Sequence, residues 1–166
     1  CAASNIPFEL GDGKGGFLAA DMAFHLVNVG EAFDPVNYPK VVLSEATEAI
    51  KSGRYKMTRA QGIIGHTMIP GAYWVNMAGL PWVVNGIDPE HLTRAAIDGR
   101  KVVREVHRFF RERIPGLDRS DVSQTAAKVG LRETRRVAGE YLLTVDDVLQ
   151  GKKFEDGTGA NAWPVE

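Results

Sequence analysis

Residues 88–116 most constrain what this chain can fold into. Asp88-Pro89-Glu90 supplies a capping oxygen, then a proline at the first helical position, then an acid at the positive end of the helix dipole. Leu92, Ala96, Val103, Val106, Phe110 and Ile114 follow at three-, four- and seven-residue spacings. Pro115-Gly116 ends the run. The pattern predicts one amphipathic helix over residues 89–113. The opposite face carries Arg94, Arg100, Lys101, Arg104, Glu105, Arg108, Arg111 and Glu112. It reads as a solvated face. RNA binding is the alternative, but no aromatic platform interleaves the charges.

A helix with one apolar stripe needs a second layer to cover it. Residues 18–29 alternate: Met22, Phe24, Leu26 and Asn28 share one side, Asp21, Ala23, His25, Val27 and Val29 the other. That predicts a long strand. Asp34-Pro35 and Tyr38-Pro39 mark a loop. Ser44 is read as the cap of a short helix over residues 45–52, which stops at Gly53. Residues 62–66 and 72–77 read as two strands, and Ile69-Pro70-Gly71 makes the turn of a hairpin. Residues 5–10, 121–127 and 131–143 are further extended segments. Thr144 and Asp147 have the spacing of a capping box for a short helix closed by Gly151. Strands and helices do not alternate regularly. The expected class is therefore α+β: a mixed, largely antiparallel sheet with one long covering helix, in a single domain over residues 1–166.

The 44% hydrophobic and 25% charged content is that of an ordinary globular chain. A net charge of -1 gives no general attraction to nucleic acid or to anionic membranes. No apolar run approaches the ~20 residues of a membrane helix. The single Cys1 excludes an internal disulfide, and no Cys/His cluster suggests zinc or another metal site. A terminal cysteine also fits a lipid-anchored mature end. With no signal peptide in view, the expectation is a cytoplasmic protein.

The residues that carry chemistry concentrate in 130–144. Arg132, Arg135 and Arg136 fall within five residues, beside Glu133 and Glu140 and between Gly130 and Gly139. If residues 131–143 are extended, Arg132, Arg136 and Glu140 share one face. Glu133, Arg135 and Tyr141 share the other, where Glu133 and Arg135 are expected to form an ion pair. Arg132 and Arg136 are candidates to hold an anionic group, because the guanidinium fork makes paired, charge-assisted hydrogen bonds to planar anions. The competing reading is a structural salt-bridge network across strands. His66 ends a predicted strand, where an imidazole suits proton transfer or a structural role. His25 reads as a satisfied core or interface histidine, His91 and His107 as helix-surface residues. Tyr73, Trp74 and Trp82 read as core or interface groups. The loop Gly11-Asp12-Gly13-Lys14-Gly15-Gly16 lacks the framing strand and helix of a nucleotide turn.

Residues 129–148, with Phe154-Glu155-Asp156 and Trp163-Pro164-Val165, resemble the carboxyl-side part of FAD-dependent oxidoreductases. These are bacterial enzymes that pair a Rossmann FAD domain with an inserted substrate domain. Ile6-Pro7-Phe8-Glu9, residues 18–29 and Asp88 to Arg100 are similar to further family segments in the same order. The sequence has no GxGxxG turn and no Asp-x-x-Gly-Asp motif. The resemblance therefore implies the substrate domain or a split subunit. FAD would be held in the complete enzyme by an FAD-binding domain or subunit, and the chain alone would be inactive and bind FAD weakly. It implies hydride transfer between a small organic substrate and flavin. Arg132, Arg136, Glu140 and Tyr141 would contact substrate or cofactor, and His66 and Tyr73 would be the catalytic candidates. The other reading is a non-catalytic ligand-binding or assembly subunit whose arginine strand is an interface network.

Overall fold

The computed structural model describes residues 4–14 and 16–159. Cys1, Trp163 and Pro164 lie outside them. The elements in chain order are β1 (Phe8–Leu10), β2 (Phe24–Val27), α1 (Tyr38–Lys51), β3 (Ile63–His66), β4 (Tyr73–Asn76), α2 (Pro89–Arg113), β5 (Asp121–Thr125), β6 (Arg135–Val137) and α3 (Val145–Leu149). Four strands form an antiparallel sheet in the order β3-β4-β2-β5, and β1 and β6 form a separate two-stranded antiparallel ribbon. The class is α+β, with every described pairing antiparallel.

The long helix has the predicted bounds. Asp88 Oδ1 accepts hydrogen bonds from Glu90 N at 2.8 Å and His91 N at 3.3 Å, satisfying two of the donors a helix start leaves free. Val102, Val103, Val106, Phe109 and Phe110 are buried against Phe24, Leu26, Ile64 and Val75 of the sheet. Each such side chain contributes about 1.5–3 kcal/mol on removal from water. The stripe differs from the prediction at its start. Leu92 is exposed and Ala95 buried, because the first turns pack through small side chains on Ala20, Leu80 and Val84. Gly99 continues that close approach: a Cβ there would lie 3.0 Å from the Cβ of Met22.

Three segments depart from expectation. The helix predicted over 45–52 starts at Tyr38. Asp34 organises that start, its Oδ1 accepting from Val36 N and Asn37 N and its Oδ2 from the Asn37 amide. Pro39 therefore sits in a first helical turn rather than in a loop, and Val42, Ala46 and Ala49 face the core. The strand predicted over 18–29 is regular only at Phe24–Val27, with a register shift between His25 and Leu26. Its alternation holds, since Met22, Phe24 and Leu26 are buried, but Asp21 makes only isolated bridges to Gly79 and Gly130. The strand predicted over 131–143 shrinks to Arg135–Val137, because the three residues of β1 are all it pairs with. Residues 135–146 are exposed throughout.

The hairpin is as predicted, pairing Ile63 with Asn76 and His66 with Tyr73. So is the capping box of α3: Thr144 accepts from Asp147 N while the Asp147 carboxylate accepts from Thr144 N.

Candidate functional site

Asp21 is a charged residue driven into the body of the protein by its backbone. Its N–H donates to Gly130 O and its carbonyl accepts from Gly130 N, while Met22 N donates to Ala78 O on the other side. A chain held on both flanks carries its side chain inside, and Asp21 is 8% exposed. Its carboxylate faces Arg59, with 3.7 Å between Oδ2 and Nη2. Arg59 is further fixed by Asn76 Oδ1 at 2.5 Å and by the carbonyl of Met77 at 3.3 Å. Burial raises the Asp21 carboxyl above its usual range, and the guanidinium groups of Arg59 and Arg132 pull it back. Burial likewise lowers Arg59, against the attraction of Asp21. Arg59 stays charged, as arginine does in proteins.

Arg59, Arg132 and Asn76 line a cavity of about 470 Å³ with Gln61, Gly62, Ile63 and Leu43. It opens at the end of the sheet where β3 begins and β4 stops. The Gly130 bridge to Asp21 sets the approach of Arg132, two residues on. The cavity joins two guanidiniums held beside a desolvated carboxylate. Such an arrangement can recognise a planar anion.

The other predicted site residues are dispersed. Arg136 lies on the ribbon, 3.4 Å from Glu9 and 4.0 Å from Glu133. Arg132 lines the cavity and Arg136 does not. Glu133 also accepts from Leu18 N at 3.1 Å. Among the described residues its ion pair is with Arg136; Arg135, the expected partner, instead lies 5.4 Å over the Phe8 ring. Glu140 is exposed. Tyr141 belongs to the α3 cap. Its hydroxyl donates to Asp147 at 2.6 Å and accepts from Lys152 at 2.8 Å. The Tyr141 hydroxyl, the Thr144 N–H and hydroxyl, and Lys152 together hold the Asp147 carboxyl far below its usual range.

His66 and Tyr73 face each other across the hairpin with ring centroids 5.0 Å apart, and Tyr73 packs edge-on against Phe33 at 5.2 Å. They sit at the turn end, three residue steps from the Ile63–Asn76 pair, or about 10 Å at strand rise. The structure does not bring them to the arginine cavity.

The described residues do not fit the phosphate end of a dinucleotide. All their strand pairings are antiparallel, so none builds a parallel strand–helix–strand unit. The glycine loop after β1 spends its N–H groups on its own carboxylate: Asp12 Oδ1 accepts from Lys14 N and Gly16 N, each at 2.8 Å. Those hydrogen bonds lower the Asp12 carboxyl and keep a negative charge where a phosphate would need donors. Among the described residues, no group of three His, Cys, Asp or Glu is placed to hold a metal, and no helix is long and apolar enough to cross a membrane.

Sequence reasoning singles out Arg132 and passes over Asp21, Arg59 and Asn76, which the structure places around the same cavity. An acid inside the apolar alternation of residues 18–29 was the available signal for Asp21. Nothing local marks Arg59, whose role comes from a sheet end formed by distant segments.

The model of the FAD dependent oxidoreductase family matches residues 1–166 of this chain. No curated protein and no solved structure matches it.

Proposed function

The chain belongs to the FAD dependent oxidoreductase family, and from that premise we propose that it is the substrate-binding portion of such an enzyme, a single domain over residues 1–166 or a split subunit. The whole enzyme would transfer hydride between a small organic substrate and flavin. The observation that carries this reading is the cavity lined by Arg59 and Arg132. Flavin, when bound, supplies the redox chemistry, and the protein supplies binding, orientation and electrostatics. In this division Arg59 and Arg132 hold an anionic group of the substrate. Asp21 and Asn76 fix Arg59 so that little side-chain freedom is lost on binding. Arg136 braces the ribbon through Glu9 and Glu133. His66, exposed beside Tyr73, is the proton-transfer candidate for a ligand long enough to reach the turn end of the hairpin. Glu140 and Tyr141 are proposed contacts on the arm toward the flavin-carrying partner.

The unfit of the described residues for a pyrophosphate supports placing FAD on a separate FAD-binding domain or subunit. The purified chain should then show no flavin absorbance in stoichiometric amount. Stoichiometric FAD on the chain, with no second polypeptide co-purifying, would overturn the division.

One observation favours a second reading, a non-catalytic ligand-binding or assembly subunit: the arm that carries the arginine run also exposes Leu142 and Leu149, as an interface face would. In that reading, variants of the cavity arginines leave the turnover of the assembled enzyme unchanged.

A further inference from the structure

The face of the sheet turned away from α2 carries a second recess. Alternation along β4 buries Val75 and puts Trp74 and Asn76 on the opposite side. Across the hairpin from Trp74 stands Gly65. The indole lies across it: a Cβ on Gly65 would fall 2.0 Å from the indole nitrogen. Only glycine leaves room for that placement. On the other flank of Trp74, β2 pairs it with His25, and Gln124 of β5 holds His25 through Nδ1 at 3.2 Å. Trp74, His25, Gln124 and Thr125 line a recess of about 280 Å³.

The indole recess and the arginine cavity each take one residue from the same face of β4. Trp74 lines the first and Asn76, which holds Arg59, lines the second. Two residue steps separate Trp74 from Asn76, about 7 Å along the strand. We propose that the two recesses form one composite site for an arylalkyl carboxylate, with the carboxylate at Arg59 and Arg132 and the ring on Trp74 beside His25. This rests on the substrate-binding reading above and names the class of substrate. A ring gains from the indole by offset or edge stacking and by leaving water. A carboxylate gains from the paired guanidinium fork. Neither half alone fills both recesses, so a ligand carrying both ends exceeds each half by linkage.

The test titrates phenylpropionate, propionate and phenylpropanol into the full chain by calorimetry. Phenylpropionate should bind at least tenfold more tightly than either of the others. Arg59→Gln should weaken phenylpropionate at least tenfold and leave phenylpropanol unchanged. Gly65→Val should push the indole aside, weakening phenylpropionate at least tenfold and sparing propionate. Circular dichroism establishes folding, and Trp74→Ala replaces Gly65→Val if that variant does not fold. Phenylpropionate binding no better than propionate, or unaffected by Arg59→Gln, overturns the proposal. Flavin plays no part in this measurement. Selective binding by a chain whose flavin-loaded enzyme neither turns over nor is inhibited by arylalkyl carboxylates would sink the substrate-domain reading and leave the site standing.

Discussion

The body of the protein and its carboxyl-terminal arm are built on different physics. In the body, α2 buries Val103, Val106, Phe109 and Phe110 at 2% exposure or less against the sheet. The arm, residues 131–159, leaves Leu142 82% exposed and Leu149 74% exposed. Beyond Leu131, which packs against the Leu80 cluster, its fixed points are mostly polar: the three-residue pairing of β6 with β1, the Glu133 contacts, and the Asp147 hub with Tyr141, Thr144 and Lys152. The body is held by area removed from water, the arm by a few directional contacts. A region of the first kind fails as a whole; one of the second kind fails point by point.

The sharpest way to break the comparison is Val103→Asp. An unpaired charge inside the helix–sheet layer should cost several kcal/mol, about 3 or more. A urea melt that moves by less than about 1 kcal/mol would mean the buried face of α2 is misassigned.

Asp147→Asn should act locally. It removes the carboxylate that accepts from Tyr141 and Thr144 and pairs with Lys152. Hydrogen exchange of the amides in 141–152 should speed up at neutral pH, with those of α2 unchanged. Acid should lower the protection of the same amides in the wild type, read against the intrinsic exchange rate at each pH. The folded Asp147 carboxyl is depressed, so its contribution is full above the ordinary aspartate value of about 3.9 and is lost as the pH falls through the folded value. Loss of α2 protection together with the arm would show that the two regions are one cooperative unit.

The smallest effect is expected at Leu142→Ser. With so exposed a side chain, the chain alone should keep its stability within about 0.5 kcal/mol. A larger loss in thermal melts would place Leu142 in a buried contact of the isolated chain.

The same contrast explains what was legible in the sequence. Apolar periodicity and caps mark α2 from Pro89 to Arg113, the hairpin and the α3 capping box, because each follows from local spacing. The arginine run resembled a strand, yet its extent depended on how much of β1 was there to pair with. The start of α1 hung on Asp34, a turn residue that local reading took for a loop. Arg132 stood out by charge density. Arg59 and Asp21 did not, because their meeting depends on Gly130 and on Asn76 and Met77 arriving from two other segments.

The central claim is that Arg132 serves a ligand and not the fold. The direct measurement is turnover and thermal unfolding of Arg132→Lys in the flavin-loaded enzyme, beside Arg104→Lys on the exposed face of α2. Lysine keeps the charge and loses the paired fork. Turnover of Arg132→Lys should fall at least about tenfold, equivalent to ~1.4 kcal/mol of transition-state stabilisation, with the melting temperature unmoved. Arg104→Lys should change neither. Normal turnover per folded molecule in Arg132→Lys, with a lowered melting temperature, would contradict the account and make the arginine run a structural network.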